Sequence, residues 1–212
     1  MPYFFDTNVI IGYLFHSADR LGPRAQKRVD DDEQNHAGFT TTVECFGKNG
    51  KSGRSYQIFT DIMDEIMVIR EQLNEEDFIH FRTTFDPRKF VRTGGMVREY
   101  LDSGNISETD KIEEINNLAD QFEKAYYRRK QQILNPNICT WHPKRSESYS
   151  TLGESLEETI TNSNDIQVLL DAYDAGKTIE NLLVVTDDYT DILKNKDRIV
   201  SVLPTISDII RP

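Results

Sequence analysis

The sequence predicts an α/β fold, with a parallel sheet and a helical insertion in the middle of the chain. Two short apolar runs indicate the sheet, because each is rich in aromatic or β-branched residues and stops at an acid. They are Tyr3–Phe5, which Asp6 ends, and residues 182–186, which Asp187 and Asp188 end. Continuous apolar runs of this length are typical of parallel strands buried on both faces. Residues 51–155 lack such runs and show helical spacing instead, which predicts an insertion of helices without strands.

The first predicted strand is followed at once by a helix. The strand ends near Asp6, and the helix begins after Thr7 or Asn8. Burying a carboxylate among apolar neighbours is unfavourable unless another group pairs with it. Open α/β sheets have their sites at the carboxyl ends of strands, so we expect Asp6 to belong to a site.

A second strand and helix are predicted between residues 18 and 48. Pro23 suits the first turn of a helix. Residues 38–42 are rich in residue types that favour strands, which predicts a short strand there. Thr42 can cap a helix that begins at Val43. Glu44 then falls in the first turn of that helix, near the end of the preceding strand.

A glycine-rich basic stretch at residues 47–54 marks the start of the insertion. Its segment Gly50-Lys51-Ser52 matches the end of a phosphate-binding loop. Cys45 stands where that motif requires its first glycine, so a plain basic turn is the favoured interpretation and nucleotide binding is the alternative.

The insertion is predicted to be helical over residues 56–73, 77–85 and 109–133, where apolar residues recur three and four positions apart. Asn74 and Asp77 can cap the second of these helices. Residues 135–155 form a loop-rich return to the sheet. The α/β domain then consists of residues 1–50 and 156–212, and the insertion of residues 51–155.

The last part of the chain alternates between helix and strand again. Asp165 lies in the first turn of a helix that ends at Gly176, and the strand at residues 182–186 follows. Residues 199–202 are predicted as a final short strand.

Charge and cysteine content restrict the function classes. The net charge of −11 argues against holding nucleic acid by bulk electrostatics, although a bound cation can reverse the sign locally. Cys45 and Cys139 lie far apart without CxxC spacing, which favours a reducing compartment. Asp6 interrupts the only N-terminal apolar candidate for a leader, and no run is long enough to span a membrane. We therefore expect a cytoplasmic protein.

Four acids occupy equivalent places in the predicted fold. Asp6 and Asp188 follow strands, whereas Glu44 and Asp165 lie in the first turns of helices, so we expect all four at one edge of the sheet. Grouped carboxylates repel one another unless a divalent cation neutralises them, and oxygen ligands select Mg²⁺ or Mn²⁺ over zinc. Such ions activate water and stabilise charge in phosphodiester cleavage. The four histidines show no zinc-type spacing.

Four motifs, in this order, resemble those of the PIN-domain nucleases. They are Phe5-Asp6-Thr7-Asn8, Thr41-Thr42-Val43-Glu44, Asn164-Asp165-Ile166 and Leu183-Val184-Val185-Thr186-Asp187-Asp188. The resemblance covers residues 1–50 and 160–205 and leaves the helical middle outside. That middle is longer than in the compact toxin members of the family.

The resemblance implies a three-layer α/β/α sandwich and a ribonuclease that depends on Mg²⁺ or Mn²⁺. The carboxylates expected at the metal and in catalysis are Asp6, Glu44, Asp165 and Asp188, with Asp191 as a further metal ligand. The supporting polar residues are Asn8 and Thr186, with Asp187 as a neighbour. The partners that it implies are RNA, a protein inhibitor and a second copy of the chain.

Basic residues beside aromatic ones suit single-stranded RNA, because bases stack on rings and phosphates pair with cations. The segment from Tyr126 to Lys130 has this composition, and we predict RNA contact at Arg128, Arg129 and Lys130. Two other basic clusters are Arg20, Arg24, Lys27 and Arg28, and Lys48, Lys51 and Arg54.

Other interpretations stay open. The chain can be a non-catalytic PIN-like module that binds RNA or a partner protein, with one structural ion or none in an acidic pocket. The four acids can also be ordinary caps and loop residues. Two other enzyme classes fit less well: aspartate-nucleophile phosphatases need a second aspartate where this chain has Asn8, and receiver domains need paired N-terminal acids and a late lysine.

Overall fold

The computed structural model describes residues 1–31, 33–48, 53–102 and 107–212. Within them, five short strands form one sheet in which every neighbouring pair is parallel. The strands are β1 (Tyr3–Phe5), β2 (Asn35–Ala37), β3 (Thr140–Trp141), β4 (Leu182–Val185) and β5 (Ile206–Ile210). Their spatial order is β3-β2-β1-β4-β5. The predicted α/β fold on a parallel sheet is confirmed, and β1 lies at its centre.

Ten α-helices accompany the sheet in the described part of the chain. They are α1 (Thr7–Leu14), α2 (Gly22–Val29), α3 (Phe39–Phe46), α4 (Arg54–Glu75), α5 (Phe78–Thr84), α6 (Gly94–Asp102), α7 (Lys111–Ile133), α8 (Ser150–Glu157), α9 (Ser163–Gly176) and α10 (Lys196–Val202). Helices α4, α5 and α7 occupy the three stretches of the middle region that apolar spacing predicts. Asp77 caps α5 as predicted, since its side chain accepts the backbone N–H of His80.

Alternate residues of β1 belong to different hydrophobic clusters. Tyr3 and Phe5 pack with apolar residues of α1, α2, α4 and α7, whereas Phe4 packs with those of α8, α9 and α10. Successive side chains of a strand point to opposite faces of the sheet. Both faces of β1 are therefore covered, which explains why its sequence is a continuous apolar run.

The second strand lies earlier in the chain than predicted. β2 is Asn35–Ala37, and the stretch predicted as a strand, residues 38–42, opens α3 instead. Gly38 has an extended backbone before the helix, and the Thr42 hydroxyl donates to its carbonyl at 2.9 Å. A Cβ at Gly38 would lie 2.6 Å from the Cβ of Asp171, so this approach of α3 to α9 requires glycine. Glu44 consequently lies in the second turn of α3, not the first.

Two further predictions about strands are wrong. The middle region contains a strand, because β3 lies within it and pairs with β2. Residues 199–202 belong to α10, and the final strand is β5, which follows Pro204. A strand of two residues is too short to show a period-two pattern, so β3 leaves no signal in the sequence.

The segment that matches the end of a phosphate-binding loop, Gly50-Lys51-Ser52, lies outside the described residues. On either side of it, α3 ends at Phe46 and α4 begins at Arg54. Among the helices that the structure describes, none has the length and apolar character needed to cross a membrane.

Candidate functional site

A cleft of about 310 Å³ opens at the carboxyl end of β1, beside the start of α1. Its charged lining is strongly acidic, with six carboxylates and two guanidinium groups. These side chains are Asp6, Asp19, Glu44, Asp165, Asp187 and Asp188, with Arg20 and Arg54. The four carboxylates singled out from the sequence therefore line one cleft, although they come from four separate segments of the chain.

Asp6 is the most buried acid of the cleft, with 3% of its surface exposed. Its Oδ1 atom accepts the backbone N–H of Thr7 at 2.5 Å and caps α1. Its Oδ2 atom accepts the side-chain amide of Asn8 at 2.5 Å and the hydroxyl of Thr186 at 2.7 Å. Burial raises the pKa of Asp6 to about 6; the Thr186 and Thr7 hydrogen bonds oppose this rise, and the nearby acids add to it.

Thr186 connects the end of β4 to the end of β1. Besides donating to Asp6, its hydroxyl accepts the backbone N–H of Asp188 at 3.0 Å and the side-chain amide of Asn8 at 3.1 Å. The Asn8 side-chain carbonyl in turn accepts the backbone N–H of Asp187 at 3.1 Å. The structure thus brings Asn8 and Thr186 into contact with acids at the ends of both strands.

Two polar side chains orient Glu44 from opposite sides. Thr7 Oγ1 donates to Glu44 Oε2 at 2.5 Å, and Asn164 Nδ2 donates to Glu44 Oε1 at 2.9 Å. The carboxylate therefore lies where α1, α3 and α9 meet. Neither Thr7 nor Asn164 has a role predicted from the sequence. Each is the immediate neighbour of a predicted carboxylate, and that adjacency is the signal by which they could have been found.

Asp165 differs from the other acids of the cleft because it has a buried carboxylate oxygen without a hydrogen-bond donor in the described part of the chain. Its Oδ2 atom is buried and finds no hydrogen-bond partner among the residues that the structure describes. Burial is the main cause that raises the pKa of Asp165 to about 7, followed by the charges of four acids: Asp6, Asp188, Glu44 and Asp191. A buried oxygen without a donor is unfavourable, so this carboxylate is the part of the cleft most suited to a cation.

Asp188 and Asp191 belong to the turn after β4. Asp188 Oδ1 accepts the backbone N–H of Asp191 at 2.9 Å. Asp191 does not line the cleft; its Oδ2 accepts the Thr161 hydroxyl at 2.7 Å and the backbone N–H groups of Thr161 and Asn162, both at 3.1 Å. The Thr161 hydroxyl is the main cause that lowers the pKa of Asp191. Asp191 thus fixes the segment before α9, and its role as a metal ligand stays a prediction.

The donor set of the cleft suits a hard divalent cation. The acidic side chains that line it are all carboxylates, and Mg²⁺ and Mn²⁺ prefer oxygen atoms as ligands. Over the described ranges of the chain, no group of three or more His, Cys, Asp or Glu side chains is arranged so as to hold a metal ion. The unpartnered Asp165 oxygen, together with the raised pKa values of Asp6 and Asp165, fits the chemistry of a cation bound among these carboxylates.

The basic segment predicted to contact RNA is not part of the cleft lining. Arg129 donates to the backbone carbonyl of Tyr13 at 3.4 Å and lies over the ring of the same residue. Lys130 lies 5.4 Å from the centre of the Phe46 ring, and Arg128 is exposed. Arg129 and Lys130 therefore have intramolecular contacts, and RNA contact at all three positions stays a prediction.

Two arginines from the other basic clusters line the cleft instead. Arg20 follows α1, and Arg54 is the first residue of α4. Arg24 does not line the cleft itself, but its guanidinium lies 3.6 Å from the carboxylate of Asp187, which does. Guanidinium groups are well suited to phosphate oxygens, so the cleft combines acids that attract a cation with bases that attract a phosphate.

Comparison of the chain with family models, with curated proteins and with solved structures returns no match. Its function is therefore inferred from the chemistry of the cleft.

Proposed function

We propose that this chain is a metal-dependent endoribonuclease that hydrolyses RNA phosphodiester bonds in the acidic cleft. One observation carries the proposal: Asp6, Glu44, Asp165 and Asp188 come from distant parts of the sequence and line the same cleft. The motifs that contain these four acids resemble those of the PIN-domain nucleases in content and order. On that basis we assign the chain to the PIN-like nucleases.

The proposed form of the fold is a three-layer α/β/α sandwich. Two hydrophobic clusters support it, because β1 contributes Tyr3 and Phe5 to one cluster and Phe4 to the other. Helices α1, α2, α4 and α7 contribute to the first cluster, and α8, α9 and α10 to the second. Helices on both faces are what a parallel sheet requires in order to bury both sides.

Mg²⁺ or Mn²⁺ is the proposed cofactor, and Asp6, Glu44, Asp165 and Asp188 are the residues that would hold it. When bound, such an ion supplies Lewis-acid stabilisation of phosphate charge and lowers the pKa of a water molecule. The chain itself holds two of these carboxylates in place, since Asp6 and Glu44 each accept hydrogen bonds on both oxygens. Groups held in this way need little reorganisation during the reaction.

The charge balance of the cleft makes RNA binding depend on a cation. Six carboxylates and two arginines leave an excess of negative charge, which repels a phosphodiester at neutral pH. Arg20 and Arg54 are the groups that can contact the phosphate directly. Neutralising the carboxylates removes the repulsion and leaves these two arginines to orient the phosphate.

The test is cleavage of single-stranded RNA in Mn²⁺, with EDTA as the metal-free reference. We expect wild type to cleave and Asp6→Asn and Asp165→Asn to lose most of the rate, because each loses a charged oxygen of the cleft. Asp120→Asn is the matched control, since the same chemical change then falls at an ion pair on α7 outside the cleft. Activity that survives both cleft substitutions would exclude the proposal. RNA binding without cleavage would favour the non-catalytic module instead.

A further inference from the structure

A second groove lies at the other end of the contact between α3 and α9. It measures about 540 Å³, which is in the range of ligand sites. Its lining consists of Phe39, Thr40, Lys144, Arg145, Ser146, Glu147, Ser148, Gln167 and Asp171. None of these residues has a role in the proposed cleavage, so the groove calls for an explanation of its own.

The groove and the acidic cleft are joined by the line along which α3 packs on α9. At the cleft end, Asn164 donates to Glu44; at the groove end, the Asp171 carboxylate accepts the backbone N–H of Thr40 at 2.8 Å. Thr40 and Glu44 are four residues apart, so they share one face of α3. Four residues of helix rise by about 6 Å. The groove therefore begins about one helical turn from the cleft.

A buried ion pair fixes the outer wall of the groove, which residues 144–148 form. The Arg145 side chain is 11% exposed and pairs with Asp171. It also donates to the backbone carbonyl of Gln167 at 2.9 Å and to the side chain of the same residue. These bonds hold the segment against α9 and neutralise Asp171. Arg145 is thus a positioning residue, whose charge is already paired.

The free polar groups of the groove are cationic or neutral. Lys144 is exposed, and across the described ranges no carboxylate pairs with its ammonium group. Glu147 has its own partner, since its carboxylate lies 3.5 Å from the ammonium of Lys177. Ser146 and Ser148 are exposed hydroxyls beside them. With both acids of the groove paired, Lys144 is left to attract an anion.

An aromatic side chain completes the groove. Phe39 is 37% exposed, although it is the first residue of a helix whose other apolar residues are largely buried. A cation, hydroxyl donors and an exposed ring are the groups that bind single-stranded RNA, through phosphate contacts and base stacking. The acidic cleft supplies little of this, and the chain as a whole is acidic, so affinity for RNA has to come from a local basic and aromatic site.

We infer that this groove binds the stretch of single-stranded RNA that flanks the bond cleaved in the cleft. Lys144 contacts a backbone phosphate, with Ser146 and Ser148 beside it, and a base stacks on Phe39. The inference rests on the proposed function for the identity of the ligand. It adds that substrate binding and bond cleavage occupy two ends of the same helix pair.

The experiment compares two RNA substrates in Mn²⁺, an oligoribonucleotide of about 12 nucleotides and a dinucleotide, whose only phosphate is the one cleaved and which therefore has none for Lys144. For the longer RNA we expect Lys144→Gln and Phe39→Leu each to raise KM by about 5-fold or more, with kcat within about twofold. The slope of log affinity against log salt should fall by about 0.7 in Lys144→Gln, as for one lost phosphate contact. With the dinucleotide, Lys144→Gln should have the same KM as wild type. Lys194→Gln, an exposed lysine in the turn after β4, is the charge control.

Failure of the inference and failure of the proposed function give different results. Equal KM values and salt slopes for Lys144→Gln and Lys194→Gln, in a chain that cleaves RNA, would overturn the inference and leave the proposed function intact. If wild type cleaves no RNA, the affinity of each variant for the same RNA, labelled and followed by fluorescence anisotropy, tests the inference. Weaker binding by Lys144→Gln than by Lys194→Gln supports the groove, and equal binding refutes it. Circular dichroism of each variant confirms that it is folded.

Discussion

Replacing Asp165 with asparagine is expected to stabilise the metal-free protein near neutral pH, because the change removes a charge that the fold disfavours. Burial and the neighbouring acids raise the pKa of Asp165 from 3.8 to about 7. At about 1.4 kcal/mol per pKa unit, this rise sets an upper limit of about 4 kcal/mol. Asp165 is only partly buried, and solvent screens part of the cost, so we expect about 1 to 2 kcal/mol.

The direction of the pKa change determines how this gain varies with pH. Below pH 3.8 the Asp165 carboxyl is protonated in both the folded and the unfolded chain, so wild type and variant should differ little. As the pH rises from 3.8 to about 7, the unfolded chain releases this proton first and the wild type loses stability. Above about pH 7 the loss is complete. The advantage of Asp165→Asn should therefore be small in acid and largest in weak alkali.

Urea unfolding in EDTA, followed by circular dichroism at about pH 4 and pH 8, measures this difference. Asp120→Asn on α7 serves again as the control for the loss of a charge. Adding Mn²⁺ should reverse the order, since an ion bound only by the folded wild type adds RT ln(1 + [L]/Kd) to its stability. The reasoning is refuted if Asp165→Asn is no more stable than wild type in EDTA at the higher pH. An equal gain from Mn²⁺ in both proteins would remove Asp165 from the ligand set.

Three further substitutions test individual contacts. Thr186→Val removes the hydroxyl between Asp6 and the Asp188 backbone, so urea unfolding should show a loss of about 1 to 3 kcal/mol. Asn164→Ala removes the hydrogen bond to one oxygen of Glu44, so Mn²⁺-dependent cleavage should slow about tenfold. Because Asn164 is exposed, the free energy of unfolding should change by less than about 0.5 kcal/mol. Burial, with a smaller effect of His142, lowers the pKa of His36 to about 4. As the pH falls from 6.5 towards 4, the unfolded chain takes up a proton at His36 before the folded chain does, so the folded protein loses stability. In thermal melts His36→Gln should show a smaller decrease of the melting temperature over this pH range. A stable Thr186→Val protein, full activity in Asn164→Ala, or a wild-type pH profile in His36→Gln would each contradict the contact concerned.

The helices and strands that could be predicted are those whose buried apolar residues recur at a regular spacing or form a continuous run. Helices α4 and α7 are long enough to show several turns of apolar spacing, and β1 and β4 are apolar because both of their faces are covered. β2 lacks this signal, since it begins with Asn35 and His36. Asn35 donates to the carbonyls of Val29 and Ile138, and His36 contacts His142. Polar residues that pair with residues distant in the sequence carry no local signal for a strand.

The site could be predicted to the extent that it depends on chain order. Asp6 and Asp188 follow apolar strands, so their shared edge follows from a parallel sheet. The predicted position of Glu44 is less accurate, because the start of α3 depends on how closely Gly38 approaches Asp171. The Asn164 bond to Glu44 joins residues from separate helices, and no local pattern reports such a pair.

In the proposed function, the packing of α3 on α9 places RNA cleavage and RNA binding at the two ends of one helix pair. Glu44 and Asn164 meet at its cleft end, and Thr40 and Asp171 at its groove end. A change at Asp171 should therefore affect the groove and spare the cleft. Asp171→Asn keeps the hydrogen-bond acceptor for Thr40 but leaves Arg145 as an unpaired, nearly buried charge. Breaking one partner of such a pair typically costs about 3 to 5 kcal/mol. We expect the groove wall to loosen and KM for long RNA to rise, while cleavage of a dinucleotide persists in molecules that stay folded. Loss of dinucleotide cleavage in folded Asp171→Asn protein would mean that the two ends of the helix pair do not act separately.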